Sequence, residues 1–528
     1  MKWTFCLSVI ALSAAACASP QRAEPQATCA PRFDVRDFQP GGEADRGWPG
    51  GVSVADVNDD GALDIYITGG YEYVAERGRN QQATPSMLYL NDGRGQFTRA
   101  EANPISNAAA LASGSTWADI DHDGDLDAFS ATELGHPDVF YRNAGDGLMQ
   151  REDLSAATTT RGGNFTASWA DIDGDGDLDL IVGGAALENP SLNLVYRNDG
   201  GNFVRVTGVP IENGLSNPVT LLWGDVDNDG RPDLFVSNSD LWRAQNFPPG
   251  PGENEYPVLY RNLGDWRFEP MGGEGFSNHA FPGAAAAFGD IDNDGDLDLF
   301  LGMYVHPGAG ARDHDRLFIN DGHGVFTEAR DFAAAEHADA TFGAAFADFD
   351  IDGDLDLIFV AFNDEIHLMA GDGAGHFSAV QDAALSDRRT THSGLAVGDF
   401  DSDGLADVII GNWPDGHDGR FPTLLQNRSA PCGDWIDFDV RDQYGAPNPP
   451  GARIVLISVD ARGRERRQLR EASAQTGFRS QSASYFLFGL PAHERVLRAE
   501  IRWPDGATRT IRSLPRNRRV HVRVRANG

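Results

Sequence analysis

The stretch Asp56-Val57-Asn58-Asp59-Asp60-Gly61-Ala62-Leu63-Asp64 decides how this chain is read. Oxygen-bearing side chains stand at positions 1, 3, 5 and 9, and a glycine stands at position 6. The pattern D-x-(D/N)-x-D-G-x-x-D returns at Asp119, Asp171, Asp225, Asp290, Asp348 and Asp399, with successive starts 51 to 65 residues apart. Carboxylates at positions 1, 3 and 5 converge when a chain coils around a hard cation, and glycine at position 6 permits the sharp turn. Position 7 can offer a backbone carbonyl, so Arg231 and Leu405 are tolerated there, and Asp at position 9 closes the shell. The candidate metal ligands are therefore Asp56, Asn58, Asp60 and Asp64; Asp119, Asp121, Asp123 and Asp127; Asp171, Asp173, Asp175 and Asp179; Asp225, Asp227, Asp229 and Asp233; Asp290, Asp292, Asp294 and Asp298; Asp348, Asp350, Asp352 and Asp356; and Asp399, Asp401, Asp403 and Asp407. The seven loops hold 32 of the chain's 79 acidic residues, a density that is strongly repulsive without a counter-ion. Calcium is expected, up to seven ions, because magnesium dehydrates reluctantly and avoids all-protein cages.

The flanks separate these loops from an EF-hand. No bidentate Glu stands at position 12, and short apolar runs such as Trp117-Ala118 and Leu180-Ile181-Val182 have strand length. After most loops comes a second hairpin. Tyr89-Leu90-Asn91 leads to Phe97, Tyr141-Arg142-Asn143 to Leu148, Tyr196-Arg197-Asn198 to Phe203, Tyr260-Arg261-Asn262 to Phe268, and Phe318-Ile319-Asn320 to Phe326. The sixth copy is degenerate, with Met369-Ala370-Gly371 leading to Phe377. Four short strands per unit, seven times over, describe an all-β, seven-bladed β-propeller with calcium-binding hairpin loops. After Thr423–Asn427 no aromatic-led fourth strand follows, and Phe33-Asp34-Val35-Arg36 is expected to complete the last blade from the other end. Cys29 and Cys432 flank that break, so a Cys29–Cys432 disulfide is expected to lock the ring.

The chain has 528 residues and a net charge of −36, which excludes generic nucleic-acid binding through a basic surface. Residues 1–17 read as an export signal: Lys2, an apolar Leu7–Leu12 stretch, then Ala14-Ala15-Ala16. Cys17 is a candidate lipidation site, the other reading being simple cleavage beside it. No later segment has the unbroken apolar length of a transmembrane helix. Residues 18–32 form a linker, 33–430 the propeller, and 431–528 a small C-terminal β domain.

The repeats resemble the FG-GAP/VCBS repeats of integrin α-subunit propellers, with Phe288-Gly289-Asp290 preserving the Phe-Gly pair. The resemblance implies calcium in the hairpin loops. The last 97 residues carry 18 Arg and 10 Asp or Glu. Gly451-Ala452-Arg453-Ile454, Leu469-Arg470-Glu471 through Gly477-Phe478-Arg479-Ser480-Gln481, and Ile501-Arg502-Trp503-Pro504-Asp505-Gly506 resemble the ASPIC/UnbV domain, with Pro449-Pro450 and Leu487 as departures. The order of motifs is similar to the cartilage acidic protein family.

These features point to an exported, calcium-binding, non-enzymatic binding or adhesion module, at the cell surface or outside the cell. Its partner would be an extracellular protein or glycan, met by loops such as Tyr71–Ser86, Asp240–Tyr256 and Tyr304–Asp315. The protein is expected to be a monomer, without nucleic acid or a membrane span. The alternative is a hydrolase or lyase acting on a polysaccharide or lipid in the central channel. No nucleophile motif or grouped His/Asp set supports catalytic residues, and no organic cofactor is implied. The basic C-terminal domain, with Arg462, Arg464, Arg466, Arg467 and Arg516–Arg519, is expected to dock on an acidic partner, either an anionic glycan or the acidic propeller itself.

Overall fold

The computed structural model describes residues 30–42, 49–74, 78–107, 111–133, 135–159, 163–184, 192–212, 218–238, 257–271, 283–303, 314–329, 332, 340–361, 366–386, 391–413, 421–483 and 486–524. Cys17, Cys29 and the loop Asp240–Tyr256 lie outside them. Seven four-stranded antiparallel sheets account for most of the chain. In each, the aspartate loop joins the first strand to the second, as in Pro49–Ala55 to Asp64–Gly69. The register is the same every time: the residue before the loop faces the position-9 aspartate, as in Ala55↔Asp64, Ala170↔Asp179 and Gly289↔Asp298. That preceding residue is always Ala or Gly because the next sheet packs against it. A Cβ on Gly289 would stand 2.8 Å from the Phe346 ring, and one on Gly398 2.9 Å from Leu63.

The first strands of the seven sheets contact one another in sequence order, and the seventh returns to the first. An apolar core lies between each consecutive pair of sheets. Tyr66 and Trp117 fill one such core, Phe129 and Trp169 the next, and Val54 with Ile409 closes the cycle between the seventh and first sheets. This is the propeller arrangement. Phe33–Asp37 pairs antiparallel with Thr423–Asn427, supplying the seventh sheet's fourth strand from the N-terminus. Phe33 is buried between sheets six and seven, edge-on to Phe349 at 5.5 Å. In the second sheet the fourth strand opens at Met149, which is fully buried, and not at Leu148, which is 50% exposed. Alternation along the strand decides which of the two neighbours points inward. Tyr71–Val74 and Gly78–Ala83 form a separate hairpin beside the first sheet.

The Asn that ends the third strand of most sheets ties each sheet to the one before it. Its side-chain amide donates to the position-2 carbonyl of the preceding loop: Asn143 to Val57 (2.8 Å), Asn198 to Ile120 (3.3 Å), Asn262 to Ile172 (2.9 Å), Asn320 to Val226 (2.8 Å) and Asn427 to Phe349 (2.8 Å). Asn91 closes the circle onto Phe400 at 2.8 Å. The degenerate sixth copy has Gly371 at this place, where a Cβ would stand 2.2 Å from the Leu355 carbonyl oxygen. There the backbone N–H of Gly375 takes over, donating to Ile291 at 3.3 Å.

The C-terminal part packs two small sheets face to face. Phe486–Pro491, Gly433–Arg441 and Arg518–Arg523 form one; Glu465–Glu471, Arg453–Val459, Arg495–Arg502 and Thr508–Ile511 form the other. Ile436, Phe438, Leu456, Phe486, Ile501 and Trp503 fill the space between them. Among the described residues no helix is long and apolar enough to cross a membrane.

Replacing Asn198 with Ala orphans the buried Ile120 and Leu178 carbonyls that its amide serves. Denaturant unfolding of Asn198→Ala should show a loss of about 1–3 kcal/mol. A loss no greater than that of an exposed Asn→Ala control would refute the inter-sheet role.

Candidate functional site: the acidic loops and the domain that covers them

Each loop is organised by its own aspartates before any cation is considered. The position-1 carboxylate accepts the position-6 glycine N–H, as from Gly61, Gly124, Gly176, Gly230, Gly353 and Gly404 at 2.9–3.2 Å. At position 5, Asp60, Asp123, Asp175, Asp229, Asp294, Asp352 and Asp403 each accept the position-7 N–H at 2.9–3.0 Å. The chain coils through two left-handed residues. Position 6 is always glycine, with φ from 86° to 98°, while position 4 takes Asp59, His122, Asn228, Asn293, Ile351 and Ser402 at 51–64°. A β-branched residue is rare in this region. Ile351 is held there by burial against Leu405 and Leu487, the latter from the C-terminal domain.

The position-9 aspartates do more than close a shell. Asp64 accepts the N–H of Val57 (3.0 Å) on one oxygen and that of Asn91 (2.8 Å) on the other. Asp179 does the same for Ile172 and Asn198, Asp233 for Val226 and Asn262, Asp298 for Ile291 and Asn320, and Asp407 for Phe400 and Asn427. Asp356 serves Phe349 and Gly371, and Asp127 serves Asn143 at 2.8 Å with Ile120 at 3.5 Å. Each therefore fastens its loop to the third strand of the same sheet.

Ligand atoms from Asp119, Asp121 and Asp127 lie within 4.8 Å of one another, as do those from Asp171, Asp173 and Asp179. In the fourth and fifth loops the convergent sets are Asp225, Asp227, Asp229 and Asp290, Asp292, Asp294. Position 3 carries varied company. Asn58 donates to Asp60, Asp121 meets Arg142 at 2.5 Å, Asp227 meets Arg261 at 2.9 Å, and Asp350 accepts the Asp352 N–H at 3.2 Å. Asp173 accepts from the Trp266 indole, and Asp401 from Gln426. A cation fits these residues on a specific observation. Asp173 Oδ1, Asp225 Oδ1, Asp292 Oδ1 and Asp401 Oδ1 are buried with no hydrogen-bond partner. A buried carboxylate oxygen without a partner is costly, and a hard divalent ion is the partner such a cage suits. These acidic clusters can hold metal ions.

The C-terminal domain sits on this loop face. Leu469 N–H donates to Asp290 Oδ2 (2.7 Å) and Gly489 N–H to Asp348 Oδ2 (3.0 Å). Arg453 and Arg502 both reach Asp225, Arg466 reaches Asp354, and Arg441 reaches Asp59 at 2.7 Å. Arg470 is half-buried; desolvation pushes its guanidinium down, against the attraction of Asp348 and Asp290. Of the cluster expected to find an acidic partner, Arg466 meets the propeller and Arg519 donates to the Gly61 carbonyl. Arg464 pairs with Asp460 and Arg516 with Asp434, both inside the C-terminal domain.

The segment between Glu465–Glu471 and Phe486–Pro491 enters the central channel. Gln481 brackets Trp117, accepting its N–H at 2.7 Å and donating to its carbonyl at 3.2 Å, and its backbone pairs with Val52 and Val54. Gln475 accepts the Leu221 N–H and also bonds Thr166; Ser482 and Ala483 bond Val397. Phe478 packs among Val219, Ala284 and Phe342. Arg479 lies 4.3 Å over the Phe165 ring and pairs with Glu133 at 3.0 Å, with side chains 7% and 6% exposed. All seven first strands thus touch this one segment. Neither the Asn ties nor this plug was read from the sequence. The Asn recurrence was its own signal; the plug's motif gave no sign of its place, because Gln475, Arg479 and Gln481 find their partners in the ring.

A ring of antiparallel sheets with an acidic loop in every inner hairpin, capped by a β-sandwich, defines the class of this protein. The FG-GAP-like repeat model matches residues 73–130, 119–182, 185–236, 247–301 and 348–410, and the ASPIC and UnbV model matches residues 447–527. The chain belongs to the FG-GAP-repeat family and carries a C-terminal ASPIC/UnbV domain. It is similar to cartilage acidic protein 1 of Xenopus tropicalis, 23% identical over 86% of this chain and 70% of the relative. The Homo sapiens protein of that name is also 23% identical, over 86% of this chain and 69% of its own length. Solved structures that align include BBS1N in complex with ARL6DN, with a TM-score of 0.43, 11% identity and coverage of 75% of this chain and 98% of that one. The exotype rhamnogalacturonan lyase YesX aligns with a TM-score of 0.39 at 12% identity, over 71% of this chain and 72% of that one.

Two outcomes are expected. Burial raises Asp64, Asp127, Asp179, Asp233 and Asp407 to about 8 and Asp298 to about 9, from an ordinary 3.8. The cation-free fold therefore keeps protons that the unfolded chain releases. This stabilisation is complete below about pH 4 and is lost as pH rises towards 8. Melts in EDTA should fall steadily between pH 5 and 8, and excess calcium should flatten the trend by replacing the protons. Separately, Arg479→Ala removes the ion-pair partner of the buried Glu133 and should cost about 3–5 kcal/mol in denaturant unfolding, partly recovered by adding Glu133→Gln.

Proposed function

We propose that this chain is an exported, calcium-loaded, non-enzymatic binding module that meets an extracellular protein or glycan, at the cell surface or outside the cell. The observation that carries the calcium reading is the set of buried, unpartnered carboxylate oxygens in recurrent loops. Calcium rigidifies the inner hairpins and the face on which the C-terminal domain rests. Extracellular modules of this kind bind calcium at roughly 0.1–1 mM, so the sites fill outside a cell. The filled channel favours binding over catalysis, because the cavity a propeller enzyme uses is taken by residues 472–483 of the chain itself. The name of the relatives, cartilage acidic protein 1, suits an exported acidic protein.

Export rests on residues 1–17, with Cys17 as a lipid-anchor candidate. The working division is 18–32 as linker, 33–430 as propeller and 431–528 as the covering domain, in a monomer. A Cys29–Cys432 disulfide would complete the ring closure. Its support is the pairing of Phe33–Asp37 with Thr423–Asn427 and the Arg428 N–H to Arg32 carbonyl bond at 2.7 Å, which bring the two flanks side by side.

The test is a melt of the mature protein in calcium and in EDTA. At ten times the dissociation constant each site adds about 1.4 kcal/mol, so several filled sites should shift the midpoint clearly upward. An unchanged midpoint overturns the calcium reading. The calcium-loaded form is then screened on glycan and extracellular-protein arrays. Turnover of a polysaccharide, with no stable complex on either array, overturns the binding reading.

A further inference from the structure

We propose that Asp119, His122 and Asp442 form a site for a divalent transition metal such as zinc, at the seam between the second loop and the C-terminal domain. A ring nitrogen of His122 and one carboxylate oxygen from each aspartate lie within 4.8 Å of one another. One imidazole nitrogen with two carboxylate oxygens is a donor set for zinc or manganese, whereas calcium takes oxygen alone.

Three observations carry this beyond a cluster of acids. The first is a charge mismatch. At Asp59, Asp225, Asp290 and Asp348 the C-terminal domain brings an arginine or a backbone N–H, and the carboxylates it brings to the fourth and seventh loops, Glu471 and Asp437, are paired with its own Arg453 and Arg519. At the second loop it brings a carboxylate, Asp442, towards the buried Asp119. Two carboxylates brought this close repel unless a cation lies between them. The second is the seating of the imidazole. His122 Nε2 lies 2.9 Å from Asp177 Oδ1, and the ring stacks on Tyr444 with centroids 4.1 Å apart. A carboxylate behind the ring is how metal-bound histidines are oriented, and it leaves Nδ1 as the ligating atom. Asp442 is fixed too, its Oδ1 accepting the N–H groups of Tyr444, Gly445 and Ala446, which leaves Oδ2 for the metal. The third is room. A cavity of about 320 Å³ is lined by all three residues, so water can complete a four-coordinate shell. Asp119 is shared with the second loop's own cluster, its carboxylate bridging the two positions. The site would clamp the C-terminal domain to the ring where Asp442 faces Asp119.

The test titrates zinc into the calcium-saturated full chain by calorimetry, with metal content counted after gel filtration. One tightly held zinc per chain is expected, with no calcium released. His122→Asn keeps the left-handed turn, since Asn228 and Asn293 occupy the same place in other loops, and it should weaken zinc at least tenfold. Asp442→Asn should do the same, and neither should change the calcium-dependent melting shift. Asp177→Asn should weaken zinc by about tenfold through the histidine's orientation. No zinc binding, binding unchanged in His122→Asn, or release of one calcium per zinc would each overturn the site. Zinc binding that depends on His122 in a chain showing no calcium shift would leave this site standing and sink the calcium reading alone.

Discussion

Each inner hairpin turns on an aspartate whose two carboxylate oxygens are both occupied by backbone N–H groups. One belongs to its own loop and the other to the third strand of its sheet. A buried carboxyl group of this kind is tolerated because the backbone donors replace the water it loses. The coil of the loop, the convergence of positions 1, 3 and 5, and the placement of the Asn that reaches the preceding sheet all depend on that anchor. The ring is therefore held by two layers of interaction. Apolar cores between sheets supply the bulk of the burial, and a circle of amide-to-carbonyl bonds fixes the angle of each sheet to the last.

The same loops create a charge problem that the C-terminal domain addresses. Its arginines and backbone N–H groups meet the fourth, fifth and sixth loops on the position-1 carboxylates. Its inserted segment then touches every first strand. The domain is a cover and a plug at once, and several of its arginines are spent on the loop aspartates it covers. Arg479 and Glu133 show how far this goes: a charged pair sits deep in the channel wall, sandwiched by Phe165 and Phe478.

Much of the ring was legible from the residues because its signals are local. D-x-(D/N)-x-D-G-x-x-D sets a turn by itself, and the missing fourth strand after Asn427 pointed to Phe33 because every other unit had one. Legibility failed where a choice depended on a neighbour. Leu148 and Met149 are both apolar, and only the packed second sheet selects Met149 for burial. In the C-terminal domain Glu465–Glu471 reads as a charged run, yet it is a strand whose Leu469 points into the propeller and whose half-buried Arg470 lies near two loop aspartates. Leu487, a departure from the family's pattern, is accounted for by its contact with Ile351.

By itself the sequence determined the repeat, the turn geometry, the acidity of the loops and the direction in which the ring closes. These follow from spacing along the chain, and spacing survives unfolding. Only the tertiary structure decided that the loop face is covered, that the channel is filled by the chain's own segment, and that His122 faces Asp442 across 320 residues of sequence. Those outcomes depend on which surfaces meet, and electrostatic complementarity between distant segments leaves no period in the sequence to read.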